Sequence, residues 1–272
     1  MEEARKILFV GGDERALRAA QVLSGKGFPP LLSGFETYGK AFPEQMQHVS
    51  VEAGISEADI IVLPLPYTRD GETVNAPFSE KPIRLKRVFA HSKGKVLLGG
   101  MLPEDENRID YYDEIMVLEN ADVTAEAAIV IAGERSGNTF AGARALLLGY
   151  GRIGKALAGK LKSLGCSVTV AARKESDRAL ARLAGHSAID SSDAAAQLER
   201  ADYLFNTVPV LLIDEQSLAA LPEGVPAIDL AGSMVSAHVL QAKGLPGKYA
   251  PIRAGAILAE AVERALKKGE TV

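Results

Sequence analysis

Leu146-Leu147-Leu148-Gly149-Tyr150-Gly151-Arg152-Ile153-Gly154 is an apolar strand that ends in three spaced glycines and opens a helix. A pyrophosphate needs main chain close to it and N–H donors aimed at it. Gly149 makes the tight turn, Gly151 lets the backbone approach the phosphates, and Gly154 lets the helix lie close on the sheet. The helix N-terminus adds a favourable partial positive charge. Such a triplet by itself also describes an ordinary strand–helix turn. Its context here is the required one: a strand over Ala143–Leu148 and a helix over Arg152–Leu164 closed by Gly165. The spacing therefore predicts a nicotinamide dinucleotide site that includes Gly149, Tyr150, Gly151, Arg152, Ile153 and Gly154.

The end of the next strand, Ser167–Ala171, bears on which coenzyme binds. A site for the unphosphorylated form places Asp or Glu there, on the ribose hydroxyls. This chain has Ala172-Arg173-Lys174-Glu175-Ser176. Arg173, with Lys174 and Ser176 close by, offers a fork for a phosphate, so the expected cofactor is NADP. The alternative is a solvated charge after a strand.

The rest of the second half continues in the same alternation. A helix is expected over Asp177–Ala184, a strand over Ser187–Asp190 and a helix over Asp193–Arg200 capped by Ser192. Strands follow at Tyr203–Phe205 and Ala227–Leu230, with a helix around Ser236–Ala242. The segment Gly244–Pro251 reads as a loop, and a last helix covers Arg253–Lys268. Ligands in open α/β sheets sit outside the carboxyl ends of strands. That rule adds Asn206, Thr207, Val208 and Pro209 beside the nicotinamide ribose, and Asp229 on the far side. Asp229 either orients a neighbour or caps a turn.

The first half also alternates. Strands are expected at Lys6–Val10, Pro30–Ser33, Asp59–Leu63, Lys95–Gly100 and Glu114–Leu118, with a helix over Glu14–Ser24 capped by Asp13. Continuous apolar strands separated by helical stretches imply parallel sheets with right-handed crossovers. The Ala-rich stretch Asp122–Ala132 reads as a linker helix, followed by a polar break at Gly133–Asn138. The fold class is therefore α/β, with two doubly wound parallel-sheet domains, the second of Rossmann type, joined by interdomain helices. The expected limits are 1–120 for an N-terminal, flavodoxin-like substrate domain and 121–140 for the linker. A dinucleotide-binding domain follows over 141–251, and a C-terminal helix over 252–272. Gly11-Gly12 reads either as a second nucleotide loop or as a plain strand–helix turn, and the three-glycine pattern is missing there.

Composition narrows the function classes. The chain has 272 residues, 47% hydrophobic, with a formal charge of −4 and no long run of one sign. That disfavours nucleic acid as a partner. No apolar run approaches the roughly 20 residues of a membrane span. The opening Met1–Lys6 lacks a signal-peptide layout, and a single cysteine, Cys166, suits a reducing cytoplasm. Cys166 is expected to be buried and inert. No His/Cys/Asp/Glu cluster has metal-ligand spacing, so no metal is expected. His48, His91 and His186 fall in or near expected surface turns. His238 is either a proton exchanger or a solvated residue.

Taken together, these residues are similar to a known family, the A subunit of bacterial dipicolinate synthase. The likeness runs through Lys6-Ile7-Leu8 and Val10-Gly11-Gly12-Asp13-Glu14-Arg15, then Asn120, Thr124 and Glu126. It continues through the dinucleotide loop with Val170-Ala171-Ala172-Arg173, Asn206-Thr207-Val208-Pro209 and Asp229-Leu230-Ala231. The most distinctive part is the tail, Gly244-Leu245-Pro246-Gly247, Ala250-Pro251, Ala254-Gly255 and Ile257-Leu258. The chain departs from the family at Ile252-Arg253, where Lys-Thr is usual. It departs again at Val123-Thr124-Ala125-Glu126-Ala127, where Pro-Thr-Val-Glu-Gly is usual.

The resemblance implies oxidation of a dihydrodipicolinate-level intermediate of the lysine pathway to pyridine-2,6-dicarboxylate in sporulating bacteria. NADP would be the hydride acceptor and a flavoprotein-like B subunit the partner. A homodimer is common in this fold class. A ring dicarboxylate needs donors at two ends, for which Arg69 and Arg253, with Thr68 and Thr124, are the candidates. Glu126 or His238 is the candidate proton acceptor. Two other functions fit the same loop: an NADP-dependent reductase of another small carboxylate, and a non-catalytic cofactor-binding subunit.

Overall fold

The computed structural model describes residues 5–42, 46–105 and 107–269. It divides into two units, one formed by Met1–Val117 with Ala250–Val272 and the other by Leu118–Tyr249.

The first unit starts with β1 (Ile7–Val10), α1 (Glu14–Ser24), β2 (Pro30–Ser33) and β3 (Gln47–His48). It continues with α2 (Val51–Glu57), β4 (Ile60–Val62), α3 (Leu85–His91), β5 (Val96–Gly99) and β6 (Arg108–Asp110). The strands form one parallel sheet in the order β3-β2-β1-β4-β5-β6. Without the two-residue β3 this is the 2-1-3-4-5 order of the flavodoxin type; β3 adds a sixth strand at one edge. All of β1 is buried, as a strand covered on both faces must be. Leu8, Val10, Ile61, Leu63, Leu97 and Val88 form part of one apolar layer.

Helix α4 (Glu114–Ser136) begins in the first unit and continues in the second. Its first turn replaces the strand expected at Glu114–Leu118. A five-residue apolar run fits a strand or a buried helical turn equally well. Asp113 decides for the helix, because its carboxylate accepts from the Met116 N–H at 2.8 Å, as an N-cap does. The linker helix expected from Asp122 is therefore longer at its start, and it runs through the polar stretch at Gly133–Ser136.

The second unit contains β7 (Arg144–Leu148), α5 (Arg152–Ser163), β8 (Ser167–Ala171), α6 (Glu175–Leu183), β9 (Ser187–Ile189) and β10 (Tyr203–Asn206). It ends with α7 (Glu215–Leu218), β11 (Ala227–Asp229), β12 (Val239–Gln241) and α8 (Leu245–Tyr249). Its parallel sheet runs β12-β11-β10-β7-β8-β9. The chain winds outward from β7 through β8 and β9, then returns to β7's other side at β10. The switch point between β7 and β10 is where such sheets take ligands.

Three local expectations change here. Ser236–Ala242 is not a helix: it holds β12, registered on β11 through Ala227↔Val239 and Asp229↔Gln241. The segment Gly244–Pro251 includes α8. The expected helix over Asp193–Arg200 is a pair of 3₁₀ turns whose cap is Asp190, accepting from the Ser192 N–H, rather than Ser192. The short elements β3, β6, α2, α3 and α7 carry too few apolar residues to show a period.

The last helix, α9 (Pro251–Gly269), packs along α1 in the first unit. Gly255 lies against Arg18 and Glu263 pairs with Lys26 at 2.5 Å, so the two helices run in the same direction. The Arg264 guanidinium also reaches Asp113 at 2.7 and 3.0 Å.

A Cβ at Gly255 would stand 2.3 Å from Arg18 Cβ and 3.0 Å from the Arg15 carbonyl oxygen, whereas Gly159 inside α5 has open space. Gly255→Val is expected to lower stability by about 1–3 kcal/mol, and Gly159→Ala to raise it by about 0.5–1 kcal/mol. Thermal unfolding of the two variants beside the wild type checks both signs.

Candidate functional site

In the second unit, the absence of side chains shapes the β7–α5 loop. Gly149 has φ +94°, and a Cβ there would meet Val208 Cγ2 at 2.5 Å and Thr207 Oγ1 at 2.7 Å. A Cβ at Gly154 would meet the Gly149 carbonyl oxygen at 2.5 Å. Gly149 N–H donates to Ala171 at 2.9 Å, and Thr207 donates to Leu148 through its N–H and its hydroxyl. Strand ends β7, β8 and β10 are thereby drawn together. Gly151 differs: a Cβ there would meet nothing within 4 Å.

Gly151 is also the N-cap of α5, which has no side-chain cap and no acid in its first turn. The first turn of this helix therefore carries no capping side chain of its own. Open space beside Gly151 leaves room for an anion to take that place. A dinucleotide pyrophosphate fits these residues. Tyr150 is buried, its ring edge-on to His186 at 6.3 Å. His186 directly follows the turn at Ala184-Gly185 and is itself buried, and burial holds its imidazole below the usual value.

At the end of β8, Ala172 is buried and contributes main chain only, its N–H donating to Ile189 at 3.1 Å. Arg173, Lys174 and Ser176 follow, all exposed. Arg178, five residues beyond Arg173, was not legible as part of this loop. Its guanidinium reaches the carbonyls of Ala172 and Arg173 and the carboxylate of Asp190. The signal for it was only its place one turn into α6, facing back over the loop.

Asn206 and Asp229 form the polar centre of the unit. Both are buried, Asp229 completely. The Asp229 carboxylate accepts from Asn206 Nδ2 at 2.8 Å and from the N–H groups of Ala231, Gly232 and Met234 at 3.0, 2.8 and 2.7 Å. Gln241 Nε2 is a fifth donor at 3.2 Å. Asn206 also donates to Ser233 Oγ and accepts from the Val208 N–H. Burial pushes the Asp229 carboxyl up, but the Met234, Gly232 and Ala231 amides and the Asn206 amide outweigh it and hold it below the usual range. Asp229 was expected to line the coenzyme site. Instead its donors consume it, and it shapes the loops after β10 and β11 from beneath. Thr207, Val208 and Pro209 lie on the loop that this network holds.

The carboxyl edge of the first sheet has a different chemistry. Gly11 and Gly12 have φ +69° and +104°, but Asp13 closes the start of α1. Its carboxylate accepts from the Arg15 N–H at 3.0 Å and forms a two-point pair with the Arg15 guanidinium, 2.9 Å at each end. The first-turn position that α5 leaves open is filled here by the protein's own carboxylate, so Gly11-Gly12 is a strand–helix turn. Arg15 also donates to the Leu65 carbonyl at 3.0 Å.

Among the substrate candidates, Arg69 is exposed on the loop after β4 and its Nε donates to Asn75 at 3.1 Å. Arg253, on the first turn of α9, is exposed and pairs with Glu260 at 3.4 Å. The two threonines are corrected as donors. Thr68 Oγ1 donates to the Thr73 carbonyl at 2.6 Å and Thr124 Oγ1 to the Asn120 carbonyl at 2.7 Å. A hydroxyl has one proton to give, and a local carbonyl holds it in each case.

The two proton-acceptor candidates also stand apart from the dinucleotide loop. Glu126 is exposed and ion-paired with Lys160 at 2.8 Å. Lys160 lies eight residues after Arg152 in α5, about 12 Å along the axis from the loop. His238 is exposed immediately before β12, at the amino end of a sheet whose loop lies at the carboxyl end. Cys166 is buried and its thiol is pushed up to about 11 by burial, in keeping with an inert residue. Among the described residues no group of three His, Cys, Asp or Glu is placed to hold a metal ion, and no helix is long and apolar enough to cross a membrane.

Comparison with known proteins finds similarity in both halves of the chain. Residues 6–119 match the family described as the N-terminal domain of the dipicolinate synthase A subunit. Residues 118–242 match the D-isomer specific 2-hydroxyacid dehydrogenase, NAD binding domain. The solved structure of the dipicolinate synthase A subunit from Bacillus halodurans is 26% identical, with a TM-score of 0.80 over 97% of this chain and 98% of that one. The A chain of dipicolinate synthase from Bacillus subtilis is 22% identical, with a TM-score of 0.80 over 100% and 98%. A transhydrogenase from Sinorhizobium meliloti is 12% identical, with a TM-score of 0.68 over 96% and 93%. The last two speak to the fold alone. No curated protein matches the sequence. The resemblance to the A subunit of dipicolinate synthase thus holds along the whole chain, and the second domain is of the dehydrogenase NAD-binding type.

Replacing Asp229 tests the polar centre. Asp229→Asn turns an acceptor into a donor facing N–H groups and is expected to cost about 2–4 kcal/mol, read in denaturant unfolding. The lowered carboxyl also sets a pH signature. Its contribution is present above its unfolded value of about 4 and is lost as pH falls through the lower folded value. The wild-type advantage over Asp229→Asn should therefore shrink below about pH 4.

Proposed function

We propose that the chain, built like the A subunit of dipicolinate synthase, is an NADP-dependent oxidoreductase. It would oxidise a dihydrodipicolinate-level intermediate of the lysine pathway to pyridine-2,6-dicarboxylate, in the cytoplasm of a sporulating cell. The observation that carries the coenzyme half is the uncapped start of α5 beside Gly151, followed by Arg173 where an acid would serve the unphosphorylated form.

Each part of this chain then has a physical task. The amides of Arg152, Ile153 and Gly154 receive the pyrophosphate, with Gly149 and Gly151 giving it close approach. Arg173 forks onto the 2′-phosphate, with Lys174 and Ser176 as further donors. Thr207, Val208 and Pro209 present main chain to the nicotinamide ribose, and Asn206 with Asp229 keeps that loop in place. Bound NADP would supply the hydride acceptor.

The substrate loses a hydride and a proton as its ring becomes aromatic, which itself favours the products. The protein's task is mainly to position the ring. Arg69 and Arg253 are the proposed donors to its carboxylates. Neither Glu126, ion-paired with Lys160, nor His238, at the amino end of the second sheet, is assigned the proton. The proposed partners are a second copy of the chain, common in this fold class, and a B subunit, which the resemblance implies.

Two experiments check this. The chain, with and without a B subunit, is mixed with the lysine-pathway intermediate and NADP. Appearance of the ultraviolet absorbance of dipicolinate is expected with at least one of the mixtures, and its absence from both counts against the reaction. Separately, Arg173→Ala should weaken NADP binding by tenfold or more, about 1.4 kcal/mol, and leave NAD binding nearly unchanged in titration calorimetry. Equal affinity of the wild type for the two coenzymes, untouched by the substitution, would refute the NADP assignment.

A further inference from the structure

The corner of the second sheet that follows β8 contains more acid than its loop sequence suggests. Asp190 comes directly after Ile189, which pairs with Ala171 at the end of β8. Adjacent strands are about 4.8 Å apart, so Asp190 stands one strand over from Ala172 and Arg173. Glu175 opens α6 on the other side. Either carboxylate, left to itself, would suit a ribose hydroxyl and repel a phosphate at the same place.

Arg178 occupies both. Its Nη1 donates to Asp190 Oδ2 at 2.5 Å, and its Nε and Nη2 reach Glu175 Oε2 at 2.9 and 2.7 Å. The same Nη1 lies 2.7 Å from the Ala172 carbonyl and 2.9 Å from the Arg173 carbonyl. The Ser192 N–H and hydroxyl take the other Asp190 oxygen at 3.1 and 3.0 Å, and Arg182 takes the other Glu175 oxygen at 2.5 Å. The Arg178 side chain is only 15% exposed. Both acids and both loop carbonyls are thus turned toward one half-buried cation. Arg173 and Lys174 remain exposed at the surface of the loop, with no ion pair among the described residues.

We propose that Arg178 is a positioning residue that sets coenzyme choice: by occupying Asp190 and Glu175 and holding the Ala172 and Arg173 carbonyls inward, it leaves a cationic loop that favours the 2′-phosphorylated dinucleotide over the unphosphorylated one. The inference rests on the coenzyme reading above and adds the mechanism of its selectivity. Arg178 acts through the loop and its acids, without touching the coenzyme.

The test is the ratio of the two dissociation constants, measured by titration calorimetry on the full chain with NADP and with NAD. Arg178→Met releases Asp190 and should weaken NADP about tenfold while NAD stays within about threefold. The double variant Arg178→Met with Asp190→Asn should recover most of the ratio, because the released carboxylate is gone. A purely structural role for Arg178 would weaken both coenzymes together, and that result, or an unchanged ratio, overturns the proposal. If Arg178→Met does not fold, Asp190→Asn alone decides. Losing the acid while keeping the guanidinium should raise the preference for NADP about threefold, and an unchanged ratio overturns the proposal. A wild-type chain that binds neither coenzyme would defeat the reading beneath. A wild type that prefers NADP, with variants that keep its ratio, would defeat only this inference.

Discussion

The second domain depends on a close approach that two missing Cβ atoms permit. Gly149 packs on Thr207 and Val208, and Gly154 packs on the Gly149 carbonyl, each at a distance that any side chain would violate. With those contacts made, β7, β8 and β10 end together, and α5 starts directly over the switch point. The first-turn amides of α5 are left without a capping side chain. A helix start that carries no capping side chain suits an anion, because first-turn N–H groups have no intrahelical acceptor and a phosphate can supply one. Charge is layered on top: Arg173 and Lys174 are exposed after β8, and Arg178 below them pairs with Asp190 and Glu175.

The two domains make the contrast within one molecule. Both sheets are parallel and share one strand order, and both place a glycine turn before a helix at the first strand's carboxyl end. In the first, Asp13 fills the helix start and Arg15 neutralises Asp13. In the second, no acid is present and the start is open. The same topology therefore gives one helix start capped by a carboxylate and one without a side-chain cap, and the difference lies in one side chain. Fold similarity alone does not separate the two.

Buried polar groups take the second share of the structure's specificity. Asp229 faces five donors drawn from the end of β10, the loop after β11 and β12, and so fixes loops that carry no long apolar run. A charge in that position is tolerated because every lone pair has a partner. This explains how a residue at a ligand-bearing strand end serves the site without facing it.

Much of this was legible in the sequence. The continuous apolar runs of β1, β4, β7 and β10 mark strands covered on both faces, and the spacing of Gly149, Gly151 and Gly154 marks the dinucleotide loop, because each depends on local geometry. The helix at Glu114–Leu118 and the strand at Val239–Gln241 were not legible. A run of three to five apolar residues has no period, and a capping carboxylate or a cross-strand register decides it. The roles of Asp229, Thr68 and Thr124, and the distance of Glu126 and His238 from the loop, also came only from the folded chain. Sequence by itself determined the long central strands of both sheets, which loop carries the dinucleotide glycine spacing and which charges follow it. Tertiary structure alone decided which polar groups spend their hydrogen bonds inside the protein, because that depends on partners that only folding brings within about 3 Å.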